Sequence, residues 1–475
     1  MSGVVPAIIP PWLMFCAAGV PVDGSPAAPP TSRAVAHTRP NRPVRPALPA
    51  ALARRVVGMT AAEGPGASES VGPSLRRDLG LAEVVVYGVG LILGAGIYAI
   101  LGEATAVAGE SVPLSFLAAA VVAAFTGLSY AELASRFPRG EGDYAYVREA
   151  FGAKRPAEVV AFLRVFVGAV SAAAVAIAFA GYLSSFVDLS PALSAVALVA
   201  LASAVNFWGI DTSAKLNLAF TVAEVAGLAL VIWLGLGSWG SVAVLDAPSG
   251  GAGVLEATFL VFFAYLGFGS IVNVAEETED PTRTVPRAIV ISIGITTLLY
   301  VLVAVSAVGV VDWRALGASD SPLALVAGAG GGPVAASVVG AIALTSTANT
   351  VLILLVSTSR MVYGVSKSEY RSFPTVFSRI HGGRGTPYLA VALVGVLTVP
   401  FVLLGDLGQV AALANGSLLV VFVVVNAALL KLRFDEPNDR EGFTAPLTVG
   451  RLSVTALCGL ATSLGLLVVY LGRFL

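Results

Sequence analysis

The feature that most constrains this chain is a succession of about eleven apolar segments that begins near residue 80 and continues to the last residues. Most are long enough to cross roughly 30 Å of hydrocarbon as a helix rising about 1.5 Å per residue. Lipid offers the backbone no hydrogen-bond partners, so each segment must be helical. We therefore predict an all-α polytopic membrane protein with spans near 80–107, 112–136, 157–186, 190–208, 214–237, 254–276, 286–311, 333–364, 387–404, 408–431 and 449–472.

Composition excludes several other classes of protein. Hydrophobic residues make up 57% and charged residues only 12% of the chain, against about 25% charged in soluble domains. A net charge of -1 gives no reason to expect a nucleic-acid partner. The two cysteines and two histidines form no metal-binding or catalytic pattern, and no HExxH or Walker motif occurs. We predict no enzyme activity, no cofactor and no metal site.

Residues 1–78 are predicted to form a disordered cytoplasmic tail. The first 50 residues contain 11 of the 27 prolines, and their apolar stretch Trp12–Val20 is too short to span a membrane. From Met59 the sequence continues as an ordinary short polar tail before the first span. We expect translation to start at Met59, so that residues 1–58 are not translated.

Basic residues are distributed unevenly between alternate connections. If the N-terminus is inside, nineteen Lys and Arg residues lie on the inner side and two, Arg314 and Arg473, on the outer side. Positive charge is retained on the cytoplasmic side of membrane proteins. The bias predicts a multi-pass protein of the cell membrane with a cytoplasmic N-terminus.

Glycines interrupt the first and the sixth apolar segments, which read GVGLILGAGIYAILG and FFAYLGFGSIVN. Close helix packing through small residues is the ordinary explanation. The two segments are counterparts, however, if ten helices form two runs of five, the second inverted. Matched interruptions in inverted halves indicate a transporter binding site. We predict discontinuous first and sixth helices in a core at 79–432, made of repeats 79–237 and 254–432, followed by an additional helix at 433–475.

An interruption at mid-membrane creates a site for a small zwitterion. A half-helix that starts after Gly94-Ala95-Gly96 presents N–H groups and a partial positive charge to a carboxylate. Carbonyl groups released in the sixth segment can accept hydrogen bonds from an ammonium group. The predicted substrate-binding residues are Gly94, Ala95, Gly96, Ile97, Phe263, Ala264, Leu266 and Gly267.

Several motifs resemble those of the amino acid/polyamine/organocation (APC) permeases. LGAGIY at 93–98 is similar to the first-helix signature of that superfamily, and YAELASRFPRGEGDYAYVREAFG at 130–152 to its second helix and following loop. FFAYLGF with EETEDPTRTVPRAI resembles its sixth-helix region, and TANT at 347–350 its eighth. The resemblance implies a LeuT-like inverted five-plus-five fold and alternating-access transport of amino acids or related amines. It also implies that Phe263 is the aromatic residue that gates the site. This chain departs from the family pattern at Gly269, where relatives usually carry an acidic residue.

Glu224 is predicted to lie near the middle of the fifth span, about 15 Å deep at 1.5 Å per residue. A carboxylate costs roughly 2.5–3.5 kcal/mol at the centre of a membrane helix, so it is a functional candidate. Proton-coupled relatives carry a lysine at this position. A glutamate here is predicted to bind and release the coupling proton. The alternatives are that it attracts a cation or a cationic substrate, or that it is a neutral carboxyl held by an interhelical hydrogen bond.

Other polar residues within the spans are weaker candidates. Four of them, in the sixth and eighth segments, are predicted as ion or polar sites, with interhelical hydrogen bonding as the alternative: Asn273, Ser346, Thr347 and Asn349. We expect Asn415 and Asn426 to be structural. Glu132 is expected to cap its helix in solvent, with a gating ion pair as the alternative, and Arg164 to snorkel to the surface.

These observations predict a secondary active transporter that moves an amino acid by alternating access, as a symporter driven by protons. An amino acid or polyamine exchanger and a non-transporting sensor of the same fold are the alternatives. The expected partners are a small amino acid or amine, the lipid bilayer and H⁺. The identity of the substrate and the oligomeric state do not follow from the sequence.

Overall fold

The computed structural model describes residues 79–94, 96–138, 142–209, 214–367, 373–435 and 442–474. The predicted N-terminal tail, the expected start at Met59 and the candidate Ala95 lie outside the described residues. The helices are α1 (Leu81–Leu93), α2 (Gly96–Ala108), α3 (Val112–Arg136), α4 (Asp143–Phe151), α5 (Lys154–Ser184), α6 (Pro191–Trp208), α7 (Ala214–Gly235), α8 (Gly250–Val261), α9 (Pro281–Val310), α10 (Trp313–Gly317), α11 (Pro322–Lys367), α12 (Tyr388–Val402), α13 (Leu407–Asp435) and α14 (Val454–Phe474).

Each of the eleven predicted apolar segments coincides with helical structure. Among the described residues, nine continuous helical stretches are long and apolar enough to cross a membrane, and α1 and α12 are shorter apolar helices. Large apolar side chains such as Phe162, Trp233 and Val396 point outward and are more than 60% exposed. Exposed apolar surface of this kind marks a membrane or protein interface, and on helices long enough to span a membrane it indicates contact with lipid. The prediction of an all-α polytopic membrane protein is confirmed.

The first span is divided into α1 and α2. Helix α1 ends at Leu93 and is followed by Gly94, which has φ 26° and ψ -141° and whose N–H donates to the Gly90 carbonyl at 3.1 Å. This conformation is accessible to glycine because it has no Cβ. Helix α2 then begins at Gly96. The interruption lies within the glycine cluster of the predicted site.

The sixth span changes from an α-helix to a 3₁₀ helix and does not become irregular. The α-helix α8 ends at Val261, and a 3₁₀ helix continues from Phe262 to Glu277. Such helices rarely exceed three or four residues, and a long one inside a helix often marks a hinge. The expectation of a discontinuous sixth helix therefore takes the form of a tightened segment, which we call the 3₁₀ segment.

Two further spans differ from their predicted bounds. Helix α11 starts at Pro322, eleven residues earlier than expected, and Gly332 (φ 80°, ψ -176°) divides it. The last span begins at Val454 instead of residue 449, because a short antiparallel hairpin precedes it. In that hairpin β1 (Thr448–Val449) pairs with β2 (Leu452–Ser453). Hydropathy alone does not distinguish these residues from helix.

The core forms where the broken span is surrounded by other helices. Helix α9 packs along α3 and α1, α11 packs along α5 and α7, and α1 packs against the 3₁₀ segment. A short parallel bridge also joins the chain before α1 to the end of the 3₁₀ segment, with Leu79 N–H donating to the Glu277 carbonyl at 3.1 Å and Glu279 N–H to the Leu79 carbonyl at 2.9 Å. The two interrupted spans are therefore held together at this end.

A buried ion cluster fixes the chain between α13 and α14. Glu132 is fully buried and accepts hydrogen bonds from Arg136 at 2.7 Å, from Arg433 Nε at 2.9 Å and from the Ala445 N–H at 2.9 Å. Arg433 is also buried and donates to Thr448 Oγ1 at 2.9 Å. The expectation that Glu132 caps its helix in solvent was wrong, because two guanidinium groups and one amide replace the water around its carboxylate.

Replacing Glu132 with glutamine should destabilise the protein. Removing one member of a buried ion pair costs about 3–5 kcal/mol, because the remaining charges stay buried without a partner. The control is Asp435→Asn, which removes the exposed partner of Lys431 on α13 and should change stability by no more than about 0.5 kcal/mol. Thermal unfolding of the detergent-solubilised proteins measures both. Equal melting temperatures for the two variants would contradict this account.

Candidate functional site

The interruption between α1 and α2 leaves carbonyl groups that need hydrogen-bond donors. Tyr300, fully buried on α9, places its hydroxyl 2.7 Å from the Ile92 carbonyl, 3.3 Å from the Leu93 carbonyl and 3.0 Å from the Ala264 carbonyl. A buried carbonyl without a donor would cost about 1–3 kcal/mol. The hydroxyl has one proton and donates to one of these carbonyls at a time, but it lies within hydrogen-bond distance of both interrupted spans.

At this point the two backbones approach each other so closely that only glycine fits. A Cβ built on Gly267 would lie 2.2 Å from the Leu91 carbonyl oxygen and 2.7 Å from the Ile92 nitrogen. A Cβ on Gly96 would lie 2.7 Å from the Ala264 Cα. Both candidates therefore mark direct backbone contact between the first and sixth spans. These glycines therefore allow close helix packing and also lie at the predicted substrate site, so one explanation does not exclude the other.

Glu224 lies beside the interruption. It is 3% exposed on α7, and its carboxyl lies near the Ser346 hydroxyl of α11. Ser346 Oγ in turn donates to the Gly94 carbonyl at 3.0 Å. Ser346 therefore lies between the buried carboxyl and Gly94, the residue that follows α1.

Two tyrosines attach the beginning of α2 to its neighbours. The Tyr98 hydroxyl donates to the Glu224 backbone carbonyl at 3.3 Å, and the Tyr182 hydroxyl of α5 donates to the Tyr98 carbonyl at 3.1 Å. Their rings meet edge to face with centroids 6.3 Å apart. The first turn of α2, which includes the buried candidate Ile97, is consequently fixed in place.

The remaining candidates are distributed unevenly. Phe263 and Ala264 are buried in the first turn of the 3₁₀ segment, whereas Leu266 is half-buried. Thr347 donates to carbonyls of its own helix, at 2.7 Å to Ala343 and 3.1 Å to Leu344, so its hydroxyl proton is already engaged.

Two asparagines complete the predicted ion or polar positions. Asn349 is nearly buried on α11. Asn273 is exposed, and a Cβ on Gly142 in the loop before α4 would lie 3.4 Å from its Oδ1. Asn273 is therefore not brought together with Ser346, because the 3₁₀ winding carries it toward the end of the span.

Asn415 has a structural contact of direct relevance to the site. Its side-chain amide donates to the Phe259 carbonyl at 2.7 Å and the Leu260 carbonyl at 3.3 Å, where α8 gives way to the 3₁₀ segment. Asn426 connects Ser129 and Thr126 on α3, at 2.7 Å and 3.2 Å. The expectation that both asparagines serve the fold agrees with these contacts.

An ion pair lies at the end of the 3₁₀ segment opposite α8. Arg164 Nε on α5 is 2.7 Å from Asp143 Oδ2 on α4, and the side chains are 15% and 2% exposed. Tyr130 and Tyr146 pack beside them, with ring centroids 6.2 Å apart. Burial, with Asp143 as a smaller cause, raises the pKa of Tyr146, so this phenol stays protonated. The expectation that Arg164 snorkels to the surface was wrong, since Asp143 provides a buried counter-charge.

Sequence reasoning missed Tyr300, Tyr182 and Asp143. A tyrosine in an apolar span needs a partner for its hydroxyl, and Tyr300 stands in such a span at TTLLYVLVA. That signal was available, although the partners, which lie 208, 207 and 36 residues away along the chain, were not. Asp143 lay in the recognised loop motif but could not be paired with Arg164 without a structure.

The described residues contain no group of three or more His, Cys, Asp or Glu side chains that could hold a metal ion. The site is instead built from backbone groups, hydroxyls and one carboxyl, at an interruption inside a bundle of membrane helices. Such a site is typical of secondary transporters, which bind at interrupted helices near the bilayer midplane.

Comparison with known proteins identifies the family. The chain matches the amino acid permease family over residues 79–472 and belongs to it. This is a family of the APC superfamily, as the sequence motifs indicated, and its members are transporters, not enzymes.

Individual relatives are found in bacteria and animals. The chain is 28% identical over 403 residues to the branched-chain amino acid permease BcaP of Bacillus subtilis. This alignment covers 78% of this chain and 84% of the relative. It is 32% identical over 370 residues to an uncharacterized transporter of Mycobacterium tuberculosis, covering 77% and 82%. It is also 30% identical over 398 residues to human cationic amino acid transporter 4, covering 77% and 61%.

Proposed function

We propose that this protein is a proton-coupled amino acid symporter of the cell membrane, working by alternating access. The observation that carries the proposal is the buried Glu224 carboxyl near Ser346, whose hydroxyl donates to the Gly94 carbonyl at the helix interruption. The permease relatives support an amino acid as the substrate. The proposal includes the five-plus-five inverted repeat and the cytoplasmic N-terminus, which the basic-residue bias supports.

The substrate carboxylate is proposed to bind at the beginning of α2. The N–H groups of a first helical turn have no partners within their helix and carry partial positive charge. Gly96 is the first residue of α2. The substrate ammonium is proposed to meet carbonyls of the 3₁₀ segment near Leu266, with Phe263 closing the site.

The proton dependence is proposed to follow from the single hydroxyl proton of Ser346. The Gly94 carbonyl can only accept a hydrogen bond, so Ser346 donates to it and has only lone pairs left for Glu224. A protonated Glu224 donates to those lone pairs. An ionised Glu224 is an acceptor only, so Ser346 must turn toward it and release the Gly94 carbonyl.

Protonation of Glu224 would thereby be linked to the hydrogen bonding of the helix interruption where substrate binds. If the proton and the substrate both favour the same arrangement of the helix interruption, each raises the affinity for the other by the same factor. A proton would favour the substrate-bound arrangement, and the substrate would favour proton uptake. An amino acid or polyamine exchanger would have no need of this connection.

Replacing Ser346 with alanine should weaken the coupling between proton and substrate. In liposomes containing a pH-sensitive dye, adding an amino acid should drive proton entry with the wild type. We expect Ser346→Ala to reduce the protons that enter per amino acid, because the carboxyl and the Gly94 carbonyl no longer share a hydroxyl. Unchanged stoichiometry in this variant would contradict the proposed connection.

Ser337→Ala provides the matched control. Ser337 lies on the same helix, is exposed, and bonds only the Pro333 carbonyl one turn earlier at 3.0 Å. It should retain the wild-type proton to amino acid ratio. A similar loss in both variants would indicate a general effect of removing a hydroxyl from α11.

A further inference from the structure

A cavity of about 660 Å³ lies apart from the transport site, at one end of the helix bundle. It is bounded by the last turn of α3, the first two turns of α9 and the chain that precedes β1. Its lining includes Ser135 and Arg136 of α3, Arg283 and Arg287 of α9, and Phe443. This volume is within the range of small-molecule sites, and the proposed topology places the cavity on the cytoplasmic side.

The charges around the cavity do not balance. Arg136 is paired with Glu132, but Glu132 also binds Arg433 and so serves two guanidinium groups. The guanidinium of Arg283 is 74% exposed, and its nearest carboxylate, Asp280, is 3.9 Å away. In the part of the chain that the structure describes, the exposed Arg287 has no ion-pair partner. The walls therefore carry excess positive charge.

The arrangement of the two α9 arginines favours a bound anion. Arg283 and Arg287 are four residues apart and so lie on one face of the helix, where like charges repel. An anion between them removes this repulsion. A guanidinium group can donate two parallel hydrogen bonds to two oxygens of one phosphate. Both arginines also follow the beginning of α9 at Pro281, where the helix carries partial positive charge.

We propose that this cavity binds a phosphate-bearing anion, with Arg283 and Arg287 as its principal ligands. The phosphate group can belong to the headgroup of an anionic phospholipid or to a free phosphate compound. Basic pockets between membrane helices on the cytoplasmic side bind anionic headgroups. Binding would connect α9 to α3 and to the chain before β1, and so stabilise this end of the bundle.

Thermal unfolding of the purified full-length protein in detergent tests the proposal, because a ligand of the native state raises the melting temperature. The probes are phosphatidylglycerol, phosphatidylcholine and inorganic phosphate, with sodium chloride at matched ionic strength. We expect phosphatidylglycerol to raise the melting temperature and phosphatidylcholine and sodium chloride not to. An equal rise with inorganic phosphate would identify a free phosphate compound as sufficient, and a rise only with the lipid would identify the headgroup.

The double variant Arg283→Gln, Arg287→Gln should lose most of this rise. The control Arg379→Gln removes an exposed arginine from another loop and should keep it. No rise in the wild type, or the same rise in the double variant, would overturn the proposal. The experiment measures binding in detergent and involves no transport, so its result does not depend on whether the protein is a proton symporter.

Discussion

Replacing Glu224 with glutamine is expected to abolish proton-driven accumulation of substrate while leaving counterflow intact. An amide can donate to Ser346, as we propose that the protonated carboxyl does, but it cannot release a proton. With one proton per neutral amino acid, a pH gradient of one unit supports about tenfold accumulation. The wild type should approach this ratio in liposomes, and Glu224→Gln should stay near the outside concentration.

Counterflow and a control variant separate this expectation from damage to the fold. Exchange of labelled for unlabelled amino acid needs no net proton movement, so Glu224→Gln should still perform it. Glu279→Gln alters an exposed carboxylate and should behave as the wild type in both assays. Equal loss of accumulation and counterflow in Glu224→Gln would assign Glu224 a structural role, and full accumulation would show that the proton is carried elsewhere.

Gly267→Ala should produce the second large effect, a loss of substrate uptake. The new Cβ would stand 2.2 Å from the Leu91 carbonyl oxygen, and backbone atoms cannot move aside as a flexible side chain can. Overpacking of this kind costs about 1–3 kcal/mol, and every 1.4 kcal/mol is about tenfold in the population that can bind. Initial uptake rates should therefore fall by roughly tenfold or more.

Gly269→Ala is the matched control for this prediction. It lies in the same 3₁₀ segment, but its Cβ would lie 3.5 Å from the Tyr130 ring, an ordinary contact distance. We expect uptake close to that of the wild type. Equal uptake by Gly267→Ala and Gly269→Ala would show that the close approach of the first and sixth spans is not required for transport.

The sequence predicted the spans and the first interruption well because both depend on local composition. Long apolar segments must be helical in lipid, and the backbone conformation of Gly94 favours glycine, which the sequence displays. The 3₁₀ winding from Phe262 onward was not predicted. Asn415 holds the carbonyls at its beginning from 155 residues away, and such a contact leaves no local pattern.

Charged residues were the least predictable part. Glu132 and Arg433 are 301 residues apart, and each, considered alone, resembles a solvated residue at the end of a helix. Arg164 likewise appears able to snorkel until Asp143 is brought next to it. Depth in the membrane identified Glu224 as unusual, but only the fold places its carboxyl near Ser346, which donates to the Gly94 carbonyl.

The most direct test of the account is uptake by the unmodified protein in liposomes with an imposed pH gradient, acidic outside, screened over the amino acids. We predict that at least one amino acid accumulates above its outside concentration, and that a protonophore abolishes the accumulation. Accumulation of none of them, or uptake equally large without the gradient, would contradict proton-coupled amino acid symport.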